Sequence, residues 1–486
     1  MTESRFTSPR RRRVEMAGTL PAENPADVPA VLPVPSARVP VAFDGQGSGR
    51  GPLTWGQAEI LLTMRQKGWL CLGGTLPLEP GTTVEAVAED LRFMVSRFPS
   101  MRTRLSFDDS GVPSQVLSAS GRTVLEIYDT EGEDGARELA ATVDVHYRTA
   151  SRDLENEWPV RMAVVRRDGV PTYLVVYSCH LVTDGFGAQI IGRDMAARDT
   201  EPPPGTEQLD LARWQHSEAG RRQSAASLRY WEKRLQAAEP RPFPPSADRR
   251  EPRHWTGELS SPALNLAVRA ISGRTGADSA SVLLALYAIA LGRRGVFSPA
   301  VIRPQASNRF RPGLAAMVSN LVQTGICVIE TADSTVDQVI ARAQRDAMAA
   351  YKHAYHDPAG LAALLAHDAA QRGPEAAPWD GYSWAFLNDR RGNNQDGDGK
   401  PVTAEQLELE STRSTFRWSM KKDNPFEPLY LHIHDTADAI VLTMCADTHY
   451  LAPATIEGLA RDMETVAVAA ALDPAVPVGT AAATRS

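Results

Sequence analysis

The stretch Ser178-Cys179-His180-Leu181-Val182-Thr183-Asp184-Gly185 gathers the residue types best suited to chemistry. Histidine has an unperturbed pKa near neutrality, so its imidazole can accept or return a proton under ordinary conditions. An aspartate follows at a fixed offset, beside a glycine that lets the backbone turn sharply or approach a ligand. The preceding run, Tyr173-Leu174-Val175-Val176-Tyr177, is strongly β-like, so the sequence predicts that His180 is delivered at a strand tip. A thiolate–imidazolium pair between Cys179 and His180 is disfavoured, because neighbours on a strand point to opposite faces. Taken alone, His180 is also readable as a satisfied structural histidine, since H-x-x-x-D-G is a short pattern.

The elements that must position this stretch are legible on both sides. Val39, Val41 and Phe43 alternate as in a strand. Gln57–Lys67 and Val84–Phe98 read as helices, the second with Val84, Val87, Leu91, Met94 and Val95 on one stripe and Pro99 closing it. Val124–Tyr128 is a strand candidate. Arg161–Arg166 and Thr172–Ser178 form a strand pair turning at Asp168-Gly169. Ala188–Ala197 and most of Leu209–Leu235 read as helix. Strand-like material is expected near Leu264 and over Val318–Ile329, with helices at Ser279–Leu291 and Val336–Tyr351. Leu429–His434 and Ala439–Cys445 read as strands, Ala454–Leu472 as a closing helix, and Gly392–Lys400 as a polar loop. The reading is a mixed α/β fold of two halves. Residues 1–38 are a disordered tail, 39–238 the half carrying the histidine, 239–475 the second half and 476–486 a flexible C-terminus, with Pro240–Pro245 as the linker.

Bulk properties narrow the function classes. The chain has 486 residues, 43% hydrophobic and 23% charged, with a formal net charge of −7. This balance argues against a nucleic-acid binder, which needs a basic face to displace counterions. No run of about 18 apolar residues exists, and the basic Arg10–Arg13 is followed by no apolar stretch, so neither a membrane span nor a signal peptide is expected, and a cytoplasmic location is. Cys71, Cys179, Cys327 and Cys445 are widely separated, which fits buried, reduced thiols better than disulfides or a metal site. His353, His356, His432, His434 and His449 are scattered; His432 and His434 alternate on a strand, but without a third ligand nearby no metal site is expected.

Ser178–Gly185 resembles the HHxxxDG motif of the condensation domains of nonribosomal peptide synthetases and the related CoA-dependent acyltransferases, with Cys179 in place of the motif's first histidine. Other segments agree in the family's order. Leu53-Thr54-Trp55-Gly56-Gln57 resembles the family's opening helix start. Arg97–Leu105 resembles its RHxxLRTxF segment, and Asp210–Gln215 with Tyr230-Trp231 its DYAxWQ…YW stretch. Asn308-Arg309 followed by Val318–Val322 resembles its GR…GFFVNTL region. The similarity runs from about residue 39 to 475.

The resemblance implies two chloramphenicol-acetyltransferase-like halves in a V-shaped pseudodimer with a central tunnel. It places His180 mid-tunnel as the catalytic residue. Asp184 is then mainly structural and paired with Arg309, and Gly185 keeps the turn tight. Cys179 becomes a packing replacement for a supporting histidine. Phe186, Asn320, Thr415 and Trp418 are candidate tunnel-lining residues, although Phe186 also reads as a core aromatic and Asn320 as a β-edge residue serving the backbone. The implied reaction is amide or ester formation by a free-standing enzyme. No bound cofactor or metal is expected. The donor is an acyl thioester on the phosphopantetheine arm of an acyl or peptidyl carrier protein, or on CoA, and the acceptor is a small-molecule amine or hydroxyl. A catalytically silent domain that recruits a partner enzyme is the rival reading, supported by Cys179.

Overall fold

A computed structural model describes residues 32–198, 201, 205–238, 246–295, 299–373, 384–388, 402–422 and 427–479. The Gly392–Lys400 loop, the Pro240–Pro245 linker and the Arg10–Arg13 run lie outside the described residues. The chain divides into two units, one running to Ser217 and including Arg309–Leu321, the other comprising Glu218–Asn308 and Val322 onward.

In the first unit, β1 (Ala37–Asp44), β2 (Gly49–Pro52), α1 (Trp55–Lys67), β3 (Cys71–Pro77) and α2 (Val84–Arg97) are followed by β4 (Thr103–Phe107), β5 (Pro113–Leu117), β6 (Ser120–Thr130) and α3 (Glu133–Thr149). Then come β7 (Val160–Arg167), β8 (Val170–Cys179), α4 (Gly185–Ala197) and α5 (Gln208–Gln215). A five-stranded sheet has the order β1-β6-β7-β8-β3, and a smaller one the order β2-β5-β4. The central strands are covered on both faces, which accounts for their unbroken apolar runs. Val87, Leu91, Met94 and Val95 of α2 share one cluster with Val41, Ile127, Met162 and Val164. The alternate residues Tyr128, Ala163, Val165 and Val175 pack with Ala136, Ala140 and Val143 of α3 on the other side. The helix α3 was not anticipated; its buried positions are mostly alanine and threonine, a weak apolar signal.

The second unit carries α6 (Glu218–Ala237), β9 (His254–Ser261), α7 (Pro262–Thr275), α8 (Ser279–Arg293), β10 (Ala300–Ala306), β11 (Gln323–Thr324), β12 (Cys327–Ile329), α9 (Val336–His353) and α10 (Pro358–Arg372). It continues with β13 (Trp384–Asn388), α11 (Ala404–Thr412), β14 (Thr415–Lys422), β15 (Leu429–Asp435), β16 (Ile440–Asp447) and α12 (Pro453–Leu472). The sheet order is β11-β10-β13-β15-β16-β9-β14, with β12 on β10. Helix α8 is buried all round, from Ser281 to Leu291, which explains its uniformly apolar sequence. Among the described residues no single helix is long and apolar enough to cross a membrane.

Several expectations need correction. The region near Leu264 is helix: Ser261 caps α7 by accepting from Leu264 N, and Pro262 takes the first position, where a missing N–H costs nothing. Val318–Ile329 is not one strand; only Gln323–Thr324 and Cys327–Ile329 pair. The division between units falls at Ser217, before the expected 238, because α6 packs with α9 and α10 through Trp231, Leu235 and Leu361. The ends are also more engaged than expected. Leu32 packs against the α3 cluster. Val336 N donates to Val476 O at 3.0 Å, and Val478 N to Ser334 O at 2.9 Å.

Candidate functional site

Strand β8 ends at Cys179, and the backbone there is held from both sides. Cys179 N donates to Pro159 O at 2.8 Å, His180 N to Leu70 O at 3.0 Å, and Val182 N turns back to Cys179 O at 3.1 Å. The close partner strand needs Gly73: a β-carbon there would meet Val176 O at 2.0 Å, and its φ is 156°. His180 is half-buried, but its Nδ1 is fully buried with no hydrogen-bond partner. What exposure the residue has therefore lies away from Nδ1. Burial pushes its pKa below the ordinary histidine value; its own backbone, the Asp184 charge and the Thr183 backbone oppose that with less effect. The ring is thus neutral at neutral pH, the state a proton acceptor requires.

Asp184 is consumed by structure. It caps α4, its Oδ1 accepting from Gly187 N at 2.8 Å. Its Oδ2 accepts from Arg309 Nη1 at 2.7 Å and from Leu321 N at 3.0 Å. Arg309 Nη2 donates in turn to Met317 O at 2.9 Å and Ser319 O at 3.4 Å. The aspartate that follows the histidine therefore anchors Arg309–Leu321 against the start of α4. Within Val318–Leu321, which forms no strand, Ser319 O and Leu321 N are thus taken by the Arg309 and Asp184 side chains. Gly185 opens α4 directly after the cap. Phe186 is 37% exposed and lies beneath the Arg309 guanidinium, whose Cζ is 5.5 Å from the ring centroid.

Cys179 is buried, and burial pushes its thiol up to about 12, so it is no thiolate nucleophile at neutral pH. Asn320 is buried and donates through Nδ2 to Gly56 O at 3.0 Å, which commits it to fixing the chain rather than to an open surface. Thr415 and Trp418 belong to the other unit, on β14. Trp418 packs edge-on to Trp255 at 5.2 Å and to Phe416 at 5.1 Å. The structure thus brings His180, Asp184, Gly185, Phe186 and Arg309 together, with Asn320 in the same unit.

A buried amide chain supports this segment and was not foreseen. Gln57 Nε2 approaches Gln115 Oε1 at 3.5 Å, Gln208 Nε2 donates to the same oxygen, and Ser319 Oγ donates to Gln208 Oε1 at 3.0 Å. One signal was available: Thr54-Trp55-Gly56-Gln57 is a capping box, Gln57 Oε1 accepting from Thr54 N at 2.9 Å. The remaining glutamines carry no pattern that marks them as buried. Among the described residues, no group of histidine, cysteine and carboxylate side chains suits a metal ion.

Residues 66–485 match the family model of the Condensation domain. The chain belongs to the condensation-domain family. Its relatives include a phosphinothricin tripeptide synthetase, PhsC, from Streptomyces viridochromogenes, 26% identical over 318 residues that make up 61% of this chain and 29% of PhsC. Another is the nonribosomal peptide synthetase kk1B from Curvularia clavata, 25% identical over 293 residues, 55% of this chain and 2% of kk1B. The chain therefore spans less than a third of these relatives. Among solved structures, the X-domain in its complex with OxyB from teicoplanin biosynthesis matches with a TM-score of 0.66 and 19% identity, covering 90% of this chain and 96% of that one. The SgcC5 protein of Streptomyces globisporus matches at 0.61 and 18%, covering 88% and 100%. The two units together have the condensation-domain fold.

Proposed function

We propose that this condensation domain transfers an acyl group from a thioester to an amine or hydroxyl, with His180 as the proton acceptor. The observation that carries the reading is the half-buried, neutral imidazole at the end of β8, its Nδ1 edge sealed and its backbone fixed by Leu70. The reaction balances simply. The acceptor's lone pair attacks the thioester carbonyl while its proton passes to His180 Nε2. The tetrahedral intermediate collapses, the C–S bond breaks, and the leaving thiolate takes the proton back from the imidazolium. Holding both reactants in place supplies much of the rate. Proton transfer adds about 10² to 10⁴-fold.

The nonribosomal peptide synthetase relatives favour a donor on the phosphopantetheine arm of a carrier protein over one on CoA, and a small-molecule acceptor. The test is single-turnover assay with an acyl-loaded carrier protein and, separately, acyl-CoA, each with an amine and an alcohol acceptor. Product from the carrier thioester that is lost in His180→Ala supports the reading. Full turnover in that variant removes the general-base role.

A second reading has its own support. Cys179 stands where the family motif has a histidine, and one similar structure is an X-domain in complex with OxyB. A chain that captures a partner enzyme by pull-down, yet converts neither thioester, would be a recruitment domain.

A further inference from the structure

Cys71 and Cys179 stand directly opposite each other in the antiparallel pair β3–β8. The hydrogen bonds flanking them define the kind of pairing. His180 N donates to Leu70 O at 3.0 Å and Leu78 N to Thr172 O at 2.9 Å, so those positions are the hydrogen-bonded pairs of the ladder. Counting in register, Cys71–Cys179 and Pro77–Tyr173 fall on non-hydrogen-bonded positions. The proline agrees, because it has no N–H to give. At such positions opposed α-carbons approach to about 4.5 Å, inside the range of about 4.4–6.8 Å that a disulfide spans. Directly opposed residues of a ladder start from the same face and both thiols are free, while the side chains now pack apart, Cys179 in the α2-side cluster and Cys71 against the α3-side one.

We propose that Cys71 and Cys179 are a disulfide-forming pair, oxidised by hydroperoxides to a covalent tie beside His180. The inference rests on strand register, not on the acyl-transfer reading. Cys71 is the entry point, because it is half-buried whereas Cys179 is sealed. The peroxide oxygen passes to the Cys71 thiolate, giving a sulfenic acid and water. Cys179 sulfur then attacks the Cys71 sulfur, the S–O bond breaks, and a second water leaves. Two thiols and one hydrogen peroxide thus give one disulfide and two waters. A dithiol reductant reverses the change by exchange.

The Cys71 Sγ now contacts the carbonyl oxygens of Tyr147 and Arg148 at 3.9 and 3.5 Å, so side-chain rotation must precede closure. Burial pushes the Cys71 thiol up to about 11 and that of Cys179 up to about 12. Oxidation is therefore slow at neutral pH and accelerates by about tenfold per pH unit while the thiol remains mostly protonated.

The experiment uses the full chain carrying Cys327→Ser and Cys445→Ser, treated with hydrogen peroxide at pH 7 and pH 9 and then digested without reductant. A peptide linking Cys71 to Cys179, formed faster at pH 9 and released by dithiothreitol, is the expected result. Intact mass should fall by two hydrogen atoms, and Cys71→Ser in the same background should abolish both changes. Should the serine substitutions destabilise the fold, the unsubstituted chain gives the same linked peptide. Folded protein that reaches sulfinic acid at Cys71 with no linked peptide, or that links other cysteines instead, overturns the proposal whether or not the chain transfers acyl groups.

Discussion

Arg309 Nη1 and Asp184 Oδ2 lie 2.7 Å apart, with the two side chains 8% and 1% exposed. They are 125 positions apart in sequence, and their contact fastens Arg309–Leu321 to the cap of α4. A charge this buried is tolerated only while its partner is present, and removing one member costs about 3–5 kcal/mol. Arg309→Ala should therefore destabilise the protein by that amount in urea unfolding followed by tryptophan fluorescence. The double variant Asp184→Asn with Arg309→Leu should lose clearly less than the sum of its single changes, because neither leaves the other's charge exposed to an apolar site. Additive losses would mean that the pair is not coupled.

Gly56 provides a second check on the same segment. A β-carbon at Gly56 would sit 2.2 Å from the main-chain oxygen of Asn320, whose amide already donates to Gly56 O at 3.0 Å. Main chain cannot yield as a flexible side chain can. Although alanine is the better helix former, Gly56→Ala should lower stability by about 1–3 kcal/mol. An unchanged or raised melting temperature would show that the backbones are not in contact.

What the sequence made legible follows from the range of the interactions involved. The stripe of α2 and the apolar run of β8 are local patterns, and both ends were readable to within a residue or two. The β-branched residues Val318, Val322, Thr324, Ile326, Val328 and Ile329 give Val318–Ile329 the composition of a strand, yet Ser319 O and Leu321 N bond the Arg309 and Asp184 side chains, which no local pattern encodes. Leu264 misled for the opposite reason. Its apolar neighbours suggested a strand, while the Ser261-Pro262 cap just before it was the decisive local signal. Asn320 is recognisable as a special position from its place in the motif order. That it serves Gly56 required the fold.

His356 makes stability depend on pH. It is fully buried, edge-on to Trp231 at 5.6 Å, and its carbonyl accepts from Gln323 Nε2 at 2.8 Å. Burial pushes its pKa down to about 4, against 6.5 for a free histidine. The unfolded chain therefore binds a proton that the folded chain refuses between these values. The contribution is fully present above pH 6.5 and is lost as pH falls toward 4, amounting to about 3 kcal/mol at about 1.4 kcal/mol per unit. Unfolding midpoints at pH 7, 5.5 and 4.5 should fall progressively. His356→Gln should flatten the curve while lowering stability at pH 7. An equally steep curve in that variant would assign the effect to other groups.

His180 should give the pH dependence of turnover its acidic limb. Its pKa is depressed by burial from 6.5, so the imidazole is already neutral across pH 7 to 8. The rate should be flat there and fall only below pH 6.5, where the proton acceptor becomes charged. Burial opposes protonation of the ring more strongly than the His180 backbone, the Asp184 charge and the Thr183 backbone favour it, which keeps the limb on the acid side. His180→Ala should cut the rate constant for acyl transfer by about 10² to 10⁴-fold and abolish the limb, with little change in donor binding. Melting temperature should barely move, since the strand end is held by the main-chain bond to Leu70 O rather than by the ring. A variant that keeps both the rate and the acidic limb would take the proton transfer away from His180.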